Sequence, residues 1–307
     1  MPHPFVILGA VFSLLGVTPV SVAAADAEQV KRGEYIFRAA GCYGCHTEKK
    51  DGAIPLAGGR ALKTPFGTYY GPNITPDPQN GIGKWTDQDF IRALRQGVSP
   101  AGTSYFPVFP YTSFTGMTDQ DMLDLKAYLF SLKPVAQPNK PHDVSPPFGW
   151  RWLLFGWKAM FFTAGPFKPD TTKSTEFNRG AYLVNALGHC GECHTERNFL
   201  GAMDRGKPLA GNAKGPEGDK VPNITPDKET GIGDYGDKDI AYLLRTSLKP
   251  DGDAVGSSMG EVVEHGTSKL TDQDLNAISA YLRGIPAIRN QIGAAKPAGE
   301  KKKNAWD

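Results

Sequence analysis

Apolar side chains fall at helical spacing in three short stretches of this chain, and the set of three is written twice. Val30, Tyr35 and Ile36 share one face of a helix predicted from about Ala27 into a cysteine motif. Phe90, Ile91 and Leu94 do the same for a helix over Asp87–Gln96. Thr118 reads as an N-cap with Asp121 three residues on, a capping-box-like start to a helix that runs to about Leu132 and stops before Pro134. Its second copy starts at Thr271 and runs to about Arg283, before Pro286. The stretches between are rich in Gly and Pro and lack the alternation of strands, so the expected class is all-α. Units with so few apolar side chains cannot hold such long loops alone; a large apolar group at the centre of each would do so.

The loops repeat as well. Pro72-Asn73-Ile74-Thr75-Pro76-Asp77 recurs as Pro222-Asn223-Ile224-Thr225-Pro226-Asp227, Gly81-Ile82-Gly83 as Gly231-Ile232-Gly233, and Pro55-Leu56-Ala57-Gly58 as Pro208-Leu209-Ala210-Gly211. The block order is the same in both halves, which predicts homologous domains over 28–138 and 176–290.

Other segments stand apart from the repeat. Phe5 to Val22 carries no charged side chain, and Ala23-Ala24-Ala25 precedes Asp26, which predicts a secretory signal peptide over residues 1–25. Retention as an N-terminal anchor is the alternative. Between the domains, 139–175 holds an aromatic linker with Trp150, Trp152, Phe155, Trp157, Phe161 and Phe162. A membrane-interface helix is one reading, with Arg151 and Lys158 reaching headgroups. Packing between the two domains is the reading expected here. No later segment reaches the ~18 apolar residues of a membrane span. The tail, 291–307, is Ala, Gly, Pro and Lys and is expected to be disordered.

Of the 307 residues, 40 % are hydrophobic and 21 % charged, a globular composition with material for two small cores. A net charge of +2, with no basic patch interleaved with aromatics, argues against a nucleic-acid partner.

All four cysteines sit in two motifs, Cys42-Tyr43-Gly44-Cys45-His46 and Cys190-Gly191-Glu192-Cys193-His194. Cys-x-x-Cys-His is the attachment signature of c-type haem. Two thiols must add to the two vinyl groups on one porphyrin edge, and two intervening residues let one helical turn present both. The next residue aims its imidazole at the iron, so His46 and His194 are the predicted proximal ligands. A redox dithiol needs a βαβ context, and zinc needs four ligands in one closed site; neither fits two motifs in separate repeats. Two covalently bound haem c groups are therefore expected. An acceptor for each imidazole N–H is needed, and Pro55 and Pro208, each opening Pro-Leu-Ala-Gly, are the candidates, with a role in shaping a turn as the alternative. Asn73 and Asn223 are candidates for a propionate contact or for orienting the distal ligand, with a plain turn role as the alternative. Met259, shortly before the last helix, is the candidate sixth ligand of the second haem, and a Met/His pair raises the potential. Its counterpart in the first half is Phe109, which cannot bind iron. Met117 is the nearest thioether, although the repeat aligns it with Leu270 and a staple around Thr118. An open or water-bound iron, or His142, is the alternative.

These motifs, with Phe109-Pro110-Tyr111 and with Gly180-Ala181-Tyr182-Leu183-Val184 leading to Gly188-His189-Cys190, resemble the multi-haem cytochrome c subunits of periplasmic alcohol, gluconate and related dehydrogenases. The resemblance covers nearly the whole chain after the leader. It implies two class-I-like cytochrome c domains in tandem. It also implies a bacterial periplasmic electron-transfer protein, soluble or peripherally attached to the inner membrane, that takes electrons from a dehydrogenase partner and passes them to a quinone or oxidase-side acceptor. No enzymatic activity of its own is expected. The alternative is a two-haem enzyme with an open first iron acting on a thiosulfate- or peroxide-type small molecule, but no free Cys remains to ligate haem as in thiosulfate-oxidising two-haem enzymes.

Overall fold

The computed structural model describes Met1 and residues 27 to 292; the expected leader and the tail from Gly293 lie outside the described residues. Helices α1 (Ala27–Ala39) and α2 (Cys42–His46) meet at Gly41, whose φ of 60° turns the chain between them. Two short strands, β1 (Ala61–Thr64) and β2 (Gly67–Tyr70), follow. Helix α3 (Asp87–Gln96) is opened by a full capping box: the Thr86 hydroxyl accepts the Asp89 N–H and the Asp89 carboxylate accepts the Thr86 N–H. A single turn, α4 (Tyr111–Phe114), precedes α5 (Asp119–Ser131). Strand β3 (Asp143–Val144) and helix α6 (Leu153–Phe161) lead into the second half. There α7 (Thr175–Tyr182) runs through a π turn at Leu183–Leu187 into α8 (Gly191–His194), followed by α9 (Asp239–Thr246), α10 (Ser257–His265) and α11 (Asp272–Gly284).

The all-α expectation is corrected: helix covers only about 40 % of the described residues, and they include an antiparallel sheet of order β1-β2-β3. Ala61 pairs with Tyr70 and Thr64 with Gly67, and Gly67 also pairs with Val144. The hairpin turn is closed locally. The Thr64 hydroxyl donates to the Gly67 carbonyl at 2.9 Å and accepts the Phe66 N–H at 3.1 Å. Strands of four residues are too short to show an alternation, and their partner β3 is supplied from more than 70 residues away in sequence, so nothing local announces the sheet.

In each half the first and last helices cross at a glycine. A Cβ on Gly33 would lie 1.9 Å from the Asp124 carbonyl oxygen of α5, and one on Gly180 would lie 1.9 Å from the Ala277 carbonyl oxygen of α11. The backbones can approach this closely only because neither residue has a side chain. The Arg32 guanidinium donates to the Asp124 carboxylate at 2.8 Å, and Arg179 holds Asp274 at 2.7 Å, so the carboxylates buried at these crossings are paired.

The halves then cap each other. The Tyr35 hydroxyl of α1 accepts the Thr271 N–H at 3.2 Å and donates to the Asp274 carboxylate at 2.6 Å, at the N-terminus of α11. In return, the Tyr182 hydroxyl of α7 accepts the Thr118 N–H at 3.1 Å and donates to the Asp121 carboxylate, at the N-terminus of α5. Thr118 and Thr271 cap these helices through their hydroxyls, as expected. The reciprocal half of each capping box is absent because the partner half's tyrosine takes the acid. One hydrophobic core unites both halves: Ile36, Phe37, Met117 and Leu125 belong to the same cluster as Leu183, Leu187, Leu270 and Ile278.

The linker does not pack away between the halves, contrary to expectation. Of helix α6 only Leu154 is buried, while Trp152 is 69 % and Phe155 83 % exposed. Its polar groups took the inward positions instead: the Lys158 ammonium donates to the carbonyls of Gln96 and Gly97 at the C-terminus of α3, and Arg151 to the Ser104 carbonyl. Among the described residues no helix is long and apolar enough to cross a membrane.

Candidate functional sites

Each cysteine motif forms one turn of helix wedged against two loops of its own half. After α2, the Thr47 hydroxyl accepts the Leu56 N–H at 3.1 Å, which docks the Pro55–Gly58 turn, and the Gly58 N–H donates to the His46 carbonyl at 2.8 Å. The Ile74 N–H in turn donates to the Leu56 carbonyl at 3.0 Å, fastening the Pro72–Asp77 loop. Gly71 lies directly on the helix, where a Cβ would sit 1.8 Å from the Cys45 carbonyl oxygen. The second half repeats the pattern with Thr195 and Leu209 (3.0 Å), Gly211 and His194 (2.7 Å), and Ile224 and Leu209 (3.0 Å).

These contacts aim the imidazoles. His46 Nδ1 lies 2.7 Å from the Pro72 carbonyl oxygen, and His194 Nδ1 lies 2.8 Å from that of Pro222. A carbonyl can only accept, so Nδ1 carries the proton and the lone pair is on Nε2. Burial lowers both imidazole pKa values, against the raising effect of the carbonyl contacts. The acceptors are therefore Pro72 and Pro222, not Pro55 and Pro208. The latter are exposed and start turns in which Leu56 and Leu209 take φ near 61° and bury their side chains.

The four cysteines form no disulfide. Burial pushes Cys42 and Cys190 up to about 12 and raises Cys45. Cys193 rises to about 11, through burial first. Among the described residues no group of three or more His, Cys, Asp and Glu could hold a bare metal ion. What each half does present is two thiols one helical turn apart and a neutral imidazole with a free Nε2. Ile74 and Phe109 in the first half, and Ile224 and Met259 in the second, pack on the core while staying partly accessible. Two thiols, a lone-pair nitrogen and apolar flanks fit a covalently attached haem in each half.

Asn73 and Asn223 are buried, at 2 % exposure each, and they spend their hydrogen bonds on protein. Asn73 Nδ2 donates to the carbonyls of Val135 (2.7 Å) and Gln137 (3.1 Å), and its Oδ1 accepts from the N–H and hydroxyl of Thr75. Asn223 does the same with Ile288, Thr230 and Thr225. They fix the loops that present Pro72 and Pro222. Replacing Asn73 with Ala strands two carbonyls and an N–H and is expected to cost about 2–3 kcal/mol. Thermal unfolding of the holoprotein checks this, and an unchanged midpoint would show that Asn73 has no such role.

Met259 sits in the first turn of α10, partly accessible. Met117 is completely buried with Met122, flanking the capped start of α5. His142 lies beside the sheet, where its Nδ1 accepts the Tyr70 N–H at 3.1 Å and its ring meets Tyr69 and Phe106.

Several residues at the sites escaped the sequence reading, and all act across the halves. His189 Nε2 lies 3.2 Å from the Ala40 carbonyl oxygen, joining the approaches to both motifs. Glu192 accepts from Thr112 (2.6 Å) and Ser113 (3.0 Å) of α4. Reciprocally, α10 reaches α2: Tyr43 and His265 have ring centroids 4.1 Å apart, and Glu261 binds Lys49 and Arg60. Their signal lay in pairing between distant segments, which a single sequence does not display.

A cytochrome c family model matches residues 30–133. The chain is 46 % identical over 265 residues, 85 % of its length, to a protein named a di-haem c-type cytochrome from Cereibacter sphaeroides, 87 % of which is covered. It is 38 % identical over 292 residues to the cytochrome c subunit of a quinone alcohol dehydrogenase from Gluconobacter oxydans, matching 92 % of the chain. It is also 38 % identical over 297 residues to the fructose dehydrogenase cytochrome subunit of Gluconobacter japonicus, matching 94 % of the chain. It spans 60 % of the length of each of these two subunits.

Proposed function

Because the chain belongs to the cytochrome c family, as a carrier of electrons with two covalently bound haem c groups, we propose that it is the electron-transfer partner of a bacterial periplasmic dehydrogenase and delivers electrons to a quinone or oxidase-side acceptor. The halves 28–138 and 176–290 act as one haem domain each. Cys42 and Cys45, and Cys190 and Cys193, would hold the haems through thioether bonds. His46 and His194 hold the iron through Nε2 while the Pro72 and Pro222 carbonyls fix their rings. When bound, the haems supply one-electron iron couples at potentials set by the axial ligands. The observation that carries this reading is the matched pair of Nδ1 contacts, 2.7 and 2.8 Å, at two thiol pairs.

Met259 is the sixth ligand of the second haem. In the first half the complete burial of Met117 supports leaving it in the core, which makes the first iron the one with a weak or exchangeable sixth ligand. Carbon monoxide added to the reduced protein is therefore expected to bind at one haem of the two. No binding at either haem would overturn that assignment.

The role as a carrier is tested by mixing the ferric holoprotein with substrate-charged, quinone-linked dehydrogenases of the same cell envelope and following both haems by rapid absorbance. One of these enzymes is expected to reduce both haems in successive one-electron steps. Reduction of neither haem by any of them would overturn the proposed donor. An intact mass carrying fewer than two haems would overturn the attachment residues.

A further inference from the structure

Helix α6 is amphipathic with its sides reversed. Along 152–160 every exposed residue is apolar: Trp152, Leu153, Phe155, Gly156, Ala159 and Met160, a set at helical spacing that forms one continuous face. Lys158 and the Trp157 indole are turned inward instead. Lys158 caps α3, and the Trp157 indole N–H donates to the Leu200 carbonyl at 2.9 Å. Trp150, stacked on Trp152 at 6.0 Å, and Phe148 extend the face, at 49 % and 46 % exposure.

A face of this kind needs a cover, because water is a poor solvent for it. The surfaces by which soluble proteins meet transiently are about as polar as the rest of their exterior and carry a rim of hydrogen-bonding groups. Along 152–160 this one presents only the Trp152 indole N–H. Its charge also selects an occupant. From Ser145 to Pro169 there is no Asp or Glu, in a chain that has 32 of them. The charged residues of that segment are Arg151, Lys158 and Lys168, and the exposed Arg205 donates to the Phe161 carbonyl at the C-terminal end of the helix. Arg151 and Lys158 are turned inward, so the cations left at the margin of this aromatic, acid-free face are the exposed Lys168 and Arg205, which complement an anionic lipid surface. At nine residues, α6 is far too short to span a bilayer and suited to lying along one.

We propose that the exposed face of α6 seats the protein on the surface of an anionic phospholipid membrane, with Trp150, Trp152, Phe155 and Met160 entering the headgroup–acyl boundary. The contact is independent of the haem assignments and places the carrier on the surface where membrane-bound donors and acceptors lie.

The test compares the holoprotein with a Trp152→Ser/Phe155→Ser variant in sedimentation with phosphatidylglycerol–phosphatidylethanolamine vesicles. Both side chains are well exposed, so the variant should keep its haem spectra and thermal midpoint. Any part played by the N-terminal segment is the same in both proteins. The expected result is partitioning of the wild type, a roughly tenfold or greater loss in the variant, and a blue shift of tryptophan emission with vesicles in the wild type alone. Equal partitioning of the two proteins, or none by either, would overturn the proposal. A concentration-dependent dimer abolished by the variant, without vesicle binding, would assign the face to a second copy of the chain instead.

Discussion

Replacing Met259 with Ala is expected to lower the midpoint potential of one haem by on the order of 0.1 V, a modest part of the roughly 0.8 V over which axial ligands set haem potentials, and to leave the other unchanged. A thioether is a weak donor that favours ferrous over ferric iron; water or hydroxide in its place favours the ferric state. The substitution should not dismantle its surroundings. Met259 is only partly buried, and α10 is held from further along, by Glu261 on Lys49 and Arg60 and by His265 against Tyr43. Both haems are expected to stay attached, because the proposed thioethers are those of Cys190, the N-cap of α8, and Cys193 within it, and of Cys42 and Cys45 of α2, none of which the substitution touches. A redox titration that resolves two components checks the result, with Met117→Leu as the companion that should move neither. If the Met259 variant titrates like the wild type, another group ligates the second iron.

Gly33→Ala and Gly180→Ala are each expected to destabilise the holoprotein by about 3 kcal/mol or more, at the top of the range for single substitutions. A methyl group at either position would start 1.9 Å from a backbone carbonyl oxygen, with the Cβ of Tyr128 or Tyr281 within 2.8 Å as well. No side-chain rotation relieves that, so the two helices must move apart. Doing so breaks the apolar contacts along α1 and α5 or along α7 and α11 and loosens the Arg32–Asp124 or Arg179–Asp274 pair. Gly156→Ala, where a Cβ meets nothing within 4 Å in helix α6, serves as the control and should be neutral or slightly stabilising. Equal melting temperatures for Gly33→Ala and Gly156→Ala would mean that the crossing is looser than described.

Whatever is written in short-range spacing could be read directly. Thr118 and Thr271 start helices where expected, α3 covers the expected Asp87–Gln96, and Cys42–His46 and Cys190–His194 are legible because their chemistry fixes the interval between residues. The misreadings share one cause, which is competition between distant groups. Pro55 and Pro208 looked like acceptors because they follow the motifs closely, but Thr47 and Thr195 pin those turns elsewhere and Pro72 and Pro222 arrive from further along. Asp121 was read as part of its own helix cap, and Tyr182 from the other half takes its carboxylate. The linker aromatics were expected to pack between the domains, with Lys158 and Arg151 reaching outward only on the alternative membrane-interface reading. The unpaired carbonyls at the end of α3 and at Ser104 drew the two cations in and turned the aromatics out.

Tyr35 binding at Asp274 while Tyr182 binds at Asp121 is the contact pattern of an isologous dimer, in which residue i of one subunit meets residue j of the other and the reverse holds too. Here the two subunits are successive lengths of one polypeptide. Fusion fixes their ratio and makes each permanently available to the other, so the two-fold interface no longer depends on protein concentration. It also frees the two copies to diverge. Gly41 and His189 occupy matching places before the two cysteine motifs, and only one of them carries a side chain that can reach across, to the Ala40 carbonyl. In a true dimer the same residue would have to stand at both places, and two imidazoles would meet where one now fits against a glycine.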